Sequence, residues 1–224
     1  MLSTIRPELN EKLYLRDPQE TDLGRKIIAE SVRLIDETGF EQFTFKKLAQ
    51  QIGSTEASLY RYFENKHRLL VYLVSWHWAW LRFQISFHTH NVADPAQRLR
   101  LILGVITHAH RDLPATTELD EAALYRIVVA EASKTYLTKE VDAVNREGFY
   151  REYKHLAADI VQVVQELNPD YPYPRALVST LLEAARKQLF FAQHLPSLTD
   201  ALAPAPDETI LPYLEHLAFA ALRR

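Results

Sequence analysis

Phe43-Thr44-Phe45-Lys46-Lys47-Leu48-Ala49-Gln50-Gln51-Ile52-Gly53-Ser54-Thr55-Glu56-Ala57-Ser58-Leu59-Tyr60-Arg61-Tyr62-Phe63-Glu64-Asn65-Lys66 is the stretch on which the fold turns. Leu48, Ala49 and Ile52 share one side of a short helix that Thr44 caps and Gly53 stops. Ser54 and Thr55 open a second short helix over 56–63, and Asn65 caps a long one behind it. Two short helices joined by a glycine-containing turn form a helix-turn-helix pattern. Leu48, Ala49, Ile52, Leu59 and Phe63 supply its core, with Ala49 small enough for a steep crossing. Between them stand hydroxyls at Thr44, Thr55, Ser58, Tyr60 and Tyr62, and cations at Lys46, Lys47, Arg61 and Lys66. Such groups suit a phosphate backbone, and helix starts at Phe45, Glu56 and Lys66 add N–H groups and a favourable dipole. Core packing alone accounts for the apolar residues but not for the polar face.

Working outward, Thr21 caps an earlier helix whose apolar face is Ile27, Ile28, Val32, Leu34 and Ile35. Gly39 ends it, with Phe40 packing back. Downstream, helical periodicity predicts elements at 94–110, 119–136, 139–167, 174–194 and 209–222, with no sustained strand alternation. Breaks fall at Asp112-Leu113-Pro114, Asn168-Pro169-Asp170, Pro172, Pro196 and the 204–206 loop. Pro212 belongs in a first turn, which puts the last cap at Glu208 or Thr209. The expected fold is therefore all-α, about nine helices, in three parts. Residues 1–20 form an N-terminal extension read as disordered, 21–66 a helix-turn-helix domain, and 67–224 a second helical domain. An alternative for the extension is an arm in which Arg6, Lys12 and Arg16 reach a minor groove.

The net charge of −3 confines any nucleic-acid contact to a local patch. Between Phe40 and Leu70 the cations Lys46, Lys47, Arg61, Lys66 and Arg68 exceed Glu41, Glu56 and Glu64. Zero cysteines exclude disulfides, thiolate nucleophiles and cysteine zinc sites. The longest apolar tract, 69–87, is broken by Ser75, His77, Arg82 and Gln84, so it reads as a buried helix rather than a membrane span. The first 20 residues lack the apolar core of a signal peptide, and a cytoplasmic protein is expected. All five glycines are isolated, which leaves no phosphate-binding loop, and there is no Gly-x-Ser-x-Gly elbow. Glu152-x-x-His155 and Glu64-x-x-His67 have di-iron spacing but lack the further paired carboxylates. No enzyme activity, cofactor or metal is expected.

The linked set of features resembles the TetR family of regulators. It comprises the Thr-capped helix with Leu48-Ala49 and Ile52-Gly53, the Ser58-Leu59-Tyr60-Arg61-Tyr62-Phe63 run, and Asn65-Lys66 followed by Leu69-Leu70. The resemblance spans about 21–70. It implies a recognition helix in the major groove, with Thr44, Tyr60, Tyr62 and Lys66 on phosphates and Lys46 on the same surface. Thr55, Glu56, Ala57, Ser58 and Arg61 would face base edges or nearby backbone, and the Arg61 fork matches guanine O6 and N7. Glu56 departs from the family pattern and would repel phosphate or accept from cytosine; Ser54 replaces a small apolar residue. The resemblance also implies a homodimer on a palindromic operator, with repression relieved by a small molecule, which makes 67–224 the ligand-sensing and dimerisation domain.

After Leu70 the residues themselves carry the reading. Leu177, Val178, Leu181, Leu182, Ala185 and Leu189 form one apolar stripe. Ile210, Leu211, Leu214, Leu217, Ala218, Ala221 and Leu222 form another. By the resemblance this pair meets its copy across a two-fold axis; internal core is the alternative. Tyr72, Trp76, Trp78, Trp80, Phe83 and Phe87 load the fourth helix with aromatics, and 76, 80, 83 and 87 share a stripe expected to face the interior. That stripe is either core or the wall of a pocket for a largely apolar effector, to which His108, Tyr125, Arg126 and Tyr150 could add polar groups.

Overall fold

Helix α1 (Asp22–Thr38) begins where the Thr21 hydroxyl accepts from the Gly24 N–H and ends at Gly39, whose φ of 77° only glycine adopts freely. Helix α2 (Phe45–Ile52) is capped by Thr44 and closed by left-handed Gly53; α3 (Glu56–Leu59) is capped by Thr55. The computed structural model describes residues 7–108, 119–201 and 205–223. The expected break at Asp112-Leu113-Pro114, Pro204, the arm residue Arg6 and the end of the 94–110 helix beyond His108 lie outside them.

Helix α3 is shorter than the expected 56–63. Its ladder tightens where the Tyr62 N–H bonds the Leu59 carbonyl at 2.9 Å, and the turn buries Tyr62 and Phe63 together. Asn65 caps α4 (Lys66–Thr89) by accepting from the Arg68 N–H at 2.8 Å. Then come α5 (Pro95–Thr107), α6 (Glu121–Glu131), α7 (Val141–Arg146), α8 (Arg151–Leu167), α9 (Pro174–His194) and α10 (Asp207–Leu222). The helix expected over 139–167 is divided because Gly148 takes φ 82° between α7 and α8. Helix α10 starts at Asp207, earlier than expected, so Pro212 sits beyond its first turn. Pro212 is exposed there, and water can serve the carbonyl that its ring leaves without an N–H.

The chain divides into two compact units that do not follow the expected boundary at 66/67. One joins 1–79 with 110–152, the other 80–109 with 153–224. The first unit contains the helix-turn-helix. Its supporting segment is held by charge: Arg126 grips Asp36 of α1 with two bonds of 2.9 and 2.7 Å, and Lys134 reaches Glu41 at 2.7 Å. Arg68 lies over Phe149 at 4.2 Å, 3.7 Å from Glu147.

Residues 7–20 are not a loose tail. Leu9, Leu13 and Pro18 are buried, and 3-10 turns at Glu11–Leu13 and Pro18–Glu20 shape the segment. A Cβ on Gly24 would lie 2.3 Å from the Pro18 carbonyl oxygen, so the segment presses against α1 through a missing side chain.

In the second unit, α5, α9 and α10 enclose Leu99, Leu103, Leu181, Leu182, Leu214 and Ala218. This corrects the expected interface. Leu177, Leu181, Leu182, Leu189, Leu214, Ala218 and Leu222 are already buried within one chain; Leu211 and Leu217 remain half-buried. The apolar stripes face each other, the cheapest way to remove both from water. Among the described residues no helix is long and apolar enough to cross a membrane.

Candidate nucleic-acid interface

The first unit presents a polar surface built on α2 and α3. Leu48, Ala49, Ile52, Leu59 and Phe63 are buried, which turns Thr44, Lys46, Thr55, Glu56, Ala57, Tyr60 and Arg61 outward, with Ser58 half-buried. The Thr44 hydroxyl accepts from the Lys47 N–H at 3.2 Å, and its own proton stays available to an outside acceptor. Thr55 accepts from the Ser58 N–H at 3.2 Å while its hydroxyl lies 2.8 Å from that of Ser58. Tyr60 packs edge-on against Phe45 with ring centres 5.0 Å apart, holding the phenol at the surface. Its hydroxyl is 3.5 Å from the Glu56 carboxylate, a distance too long for a strong bond.

Two expected phosphate contacts are placed otherwise. Tyr62 is 2 % exposed, and its hydroxyl lies 2.8 Å from Thr21 Oγ1 across the helix bundle. Lys66 points its ammonium at the carbonyls of Phe40, Glu41 and Phe43, at 3.1, 3.2 and 3.2 Å, and over the Phe40 ring at 4.8 Å. Those three acceptors use all three of its N–H donors. Both residues therefore serve the fold: Tyr62 ties the end of the recognition segment to α1, and Lys66 stitches the α1–α2 loop to α4.

Other cations of this unit are similarly engaged. Lys26 donates to the Ile52 carbonyl at 2.9 Å and Lys47 to that of Gln42 at 2.7 Å. Arg25 bonds the Gln19 carbonyl at 2.8 Å and pairs with Asp22. Lys46 and Arg61 have no such partner among the described residues, which leaves them open to an external anion. The hydrogen bond from Lys134 holds the Glu41 carboxyl below its ordinary range, so that acid stays ionised. Burial pushes His67 down, assisted by neighbouring Arg68.

The residues expected around an effector fall in both units. In the first, Trp76 and Tyr125 are buried, and Tyr125 packs against His77 at 5.7 Å. Arg126 is committed to Asp36, and Tyr150 donates to the Thr135 carbonyl at 2.8 Å; neither is a free polar group for a ligand. In the second, Trp80 stacks on Phe83 at 5.3 Å and 17°, and Phe83 on Phe87 at 6.5 Å and 25°. The stripe does not stay inside: Phe83 is 40 % and Phe87 70 % exposed, because the solvent side of the helix rotates onto them. His108 has Nδ1 2.8 Å from the Gly104 carbonyl and Nε2 3.3 Å from the Asp207 carboxylate.

Comparison with known proteins bears on this geometry. Residues 27–73 match the family model for bacterial regulatory proteins of the tetR family. The nucleoid occlusion factor SlmA of Vibrio campbellii is 26% identical over 102 residues, 45% of this chain and 52% of that protein. The chain thus spans about half the length of the first curated relative it matches. Among solved structures, AibR in complex with isovaleryl coenzyme A and operator DNA superposes with a TM-score of 0.59 at 18% identity, covering 86% of this chain and 97% of that one. A tetR-family regulatory protein from Rhodococcus gives 0.61 at 13% identity, over 89% and 96%. At those identities the likeness is one of fold. The family match falls on α1 to α4, and the fold is shared with these regulators over most of the chain.

Proposed function

We propose that the chain is a ligand-responsive transcriptional repressor that binds a palindromic operator as a homodimer. The observation that carries this reading is the one-sided surface of α2 and α3. Its apolar residues are buried while Thr44, Lys46, Thr55, Ala57, Tyr60 and Arg61 face solvent. Thr44, Lys46 and Tyr60 hold phosphate; Thr55, Glu56, Ala57, Ser58 and Arg61 read base edges. The acidic Glu56 suits a cytosine amino group rather than a phosphate.

A single helix-turn-helix reads half a site, so a two-fold operator calls for a second copy. The outer side of α10 is the surface for it: Tyr213, His216 and Ala220 are exposed at helical spacing beside half-buried Leu211 and Leu217. The effector is an apolar molecule resting on the Trp80–Phe83 stack. The acyl-coenzyme A complex of AibR supports starting the search with acyl compounds.

The test is titration of the full-length chain against a duplex selected from a randomised pool, at several salt concentrations. Binding should weaken steeply with salt, and Arg61→Ala should lose roughly 1–3 kcal/mol of discrimination at one base pair while sparing the others. Absence of sequence-preferring binding by the wild type would overturn the reading.

A second reading, a nucleoid occlusion factor, has the curated relatives behind it. Mapping bound sites across the chromosome separates the two: a few promoter sites fit a repressor, and sites dispersed through the nucleoid fit the alternative.

A further inference from the structure

We propose that the N-terminal segment is a second DNA-binding element, with Arg16 as a phosphate contact beside the recognition helix. This rests on the DNA-binding reading above. The segment is built into the domain: Leu13 is 1 % exposed, Tyr14 packs edge-on against Tyr72 at 6.2 Å, and Pro18 occupies the space that Gly24 leaves. It joins the domain at a telling place. The Leu15 N–H donates to the Tyr62 carbonyl at 2.8 Å, next in sequence to Arg61 and three residues beyond the end of α3.

Arg16 follows immediately. Its guanidinium lies 5.6 Å from the centre of the Tyr62 ring, which it covers, while the side chain stays exposed. Among the described residues it has neither a carboxylate nor a carbonyl partner, in contrast to Arg25, Lys26, Lys47, Lys66 and Arg68 of the same unit. An arginine parked on an aromatic face keeps its five N–H donors aimed outward at little entropic cost, and a phosphate is the ligand that such a fork fits. Exposed Leu15 beside it has no charge to repel a backbone.

Arg16→Gln in the full-length chain is compared with wild type and Arg61→Ala on the selected duplex and on a random-sequence duplex. Arg16→Gln should bind both duplexes about tenfold more weakly and lower the slope of log affinity against log salt by about one. Arg16→Lys should restore most of that slope, and the thermal midpoint should not move. Unchanged affinity and slope for Arg16→Gln, with Arg61→Ala still impaired, overturns this inference and leaves the DNA-binding reading standing. A loss confined to one operator base pair overturns it too, since Arg16 would then read bases. A wild type that binds neither duplex removes both.

Discussion

The hydroxyls of Tyr62 and Thr21 lie 2.8 Å apart, joining the residue that follows Arg61 to the residue that caps α1. Thr21 at the same time accepts from the Gly24 N–H at 3.0 Å, so one threonine anchors both a helix start and the recognition segment. Tyr62→Phe keeps the ring in the core and removes only this bond. The expected cost is about 0.5–1.5 kcal/mol of stability in urea unfolding, with an unchanged salt slope of DNA binding. A lowered slope would return Tyr62 to the phosphate contacts.

Lys66→Met makes a sharper case. The stem still covers Phe40, but the carbonyls of Phe40, Glu41 and Phe43 lose their shared donor. Because Lys66 is half-buried, water replaces part of the loss. We expect about 1–2 kcal/mol of destabilisation, less than a fully buried charge-assisted bond would give. DNA affinity should fall less than for Arg61→Ala, and chemical denaturation beside binding at one salt concentration decides the order.

Charge placed on the two sides of α10 should do different things. Leu214→Glu buries a carboxylate in the core of the second unit and should abolish cooperative unfolding. Ala220→Glu sits on the exposed side and should leave the fold intact while shifting light-scattering mass toward the monomer. An unchanged mass for Ala220→Glu would move the interface off this face.

His67 supplies a pH dependence with a definite sign. Burial and Arg68 lower its folded-state pKa below the ordinary value of about 6.5. The unfolded chain then binds the proton more tightly, so this residue favours folding above the ordinary value and costs stability as pH falls through it. His67→Gln should lose less thermal stability than wild type between neutral and mildly acidic pH. Equal losses would show that His67 contributes nothing to acid sensitivity.

What was legible in the chain is what local chemistry dictates. Thr21, Thr44 and Thr55 as caps, and Gly39 and Gly53 as stops, each act on backbone within four residues, so spacing alone reveals them. The outward face of α2 and α3 followed from the same periodicity. Tyr62 and Lys66 escaped because their partners, Thr21 and the carbonyls of 40–43, are remote in sequence. A tyrosine or lysine reads alike whether it meets phosphate or protein. Gly148 carries no such signal, because one glycine in a helical pattern is tolerable; only the chain's turn there demands its positive φ. The stripes of α9 and α10 are apolar in sequence, but a stripe does not say whether it meets its own chain or a copy. In the N-terminal segment, Leu9, Leu13 and Pro18 were the available signal, a sparse apolar spacing too irregular to mark an element.

The ion pairs from Arg126, Lys134 and Glu147 to the helix-turn-helix also set a timetable for synthesis. The recognition helix leaves the ribosome early, but the partners of Asp36 and Glu41, and the Glu147 carboxylate that Arg68 adds to its pair with Glu64, are translated only after the chain has passed through 80–109. At cellular elongation rates that interval is on the order of ten seconds. A nascent chain stalled before Arg126 would carry the reading surface without its braces, so arrested chains of increasing length should become protease-resistant at Phe43 to Lys66 only once residues to about 152 have emerged.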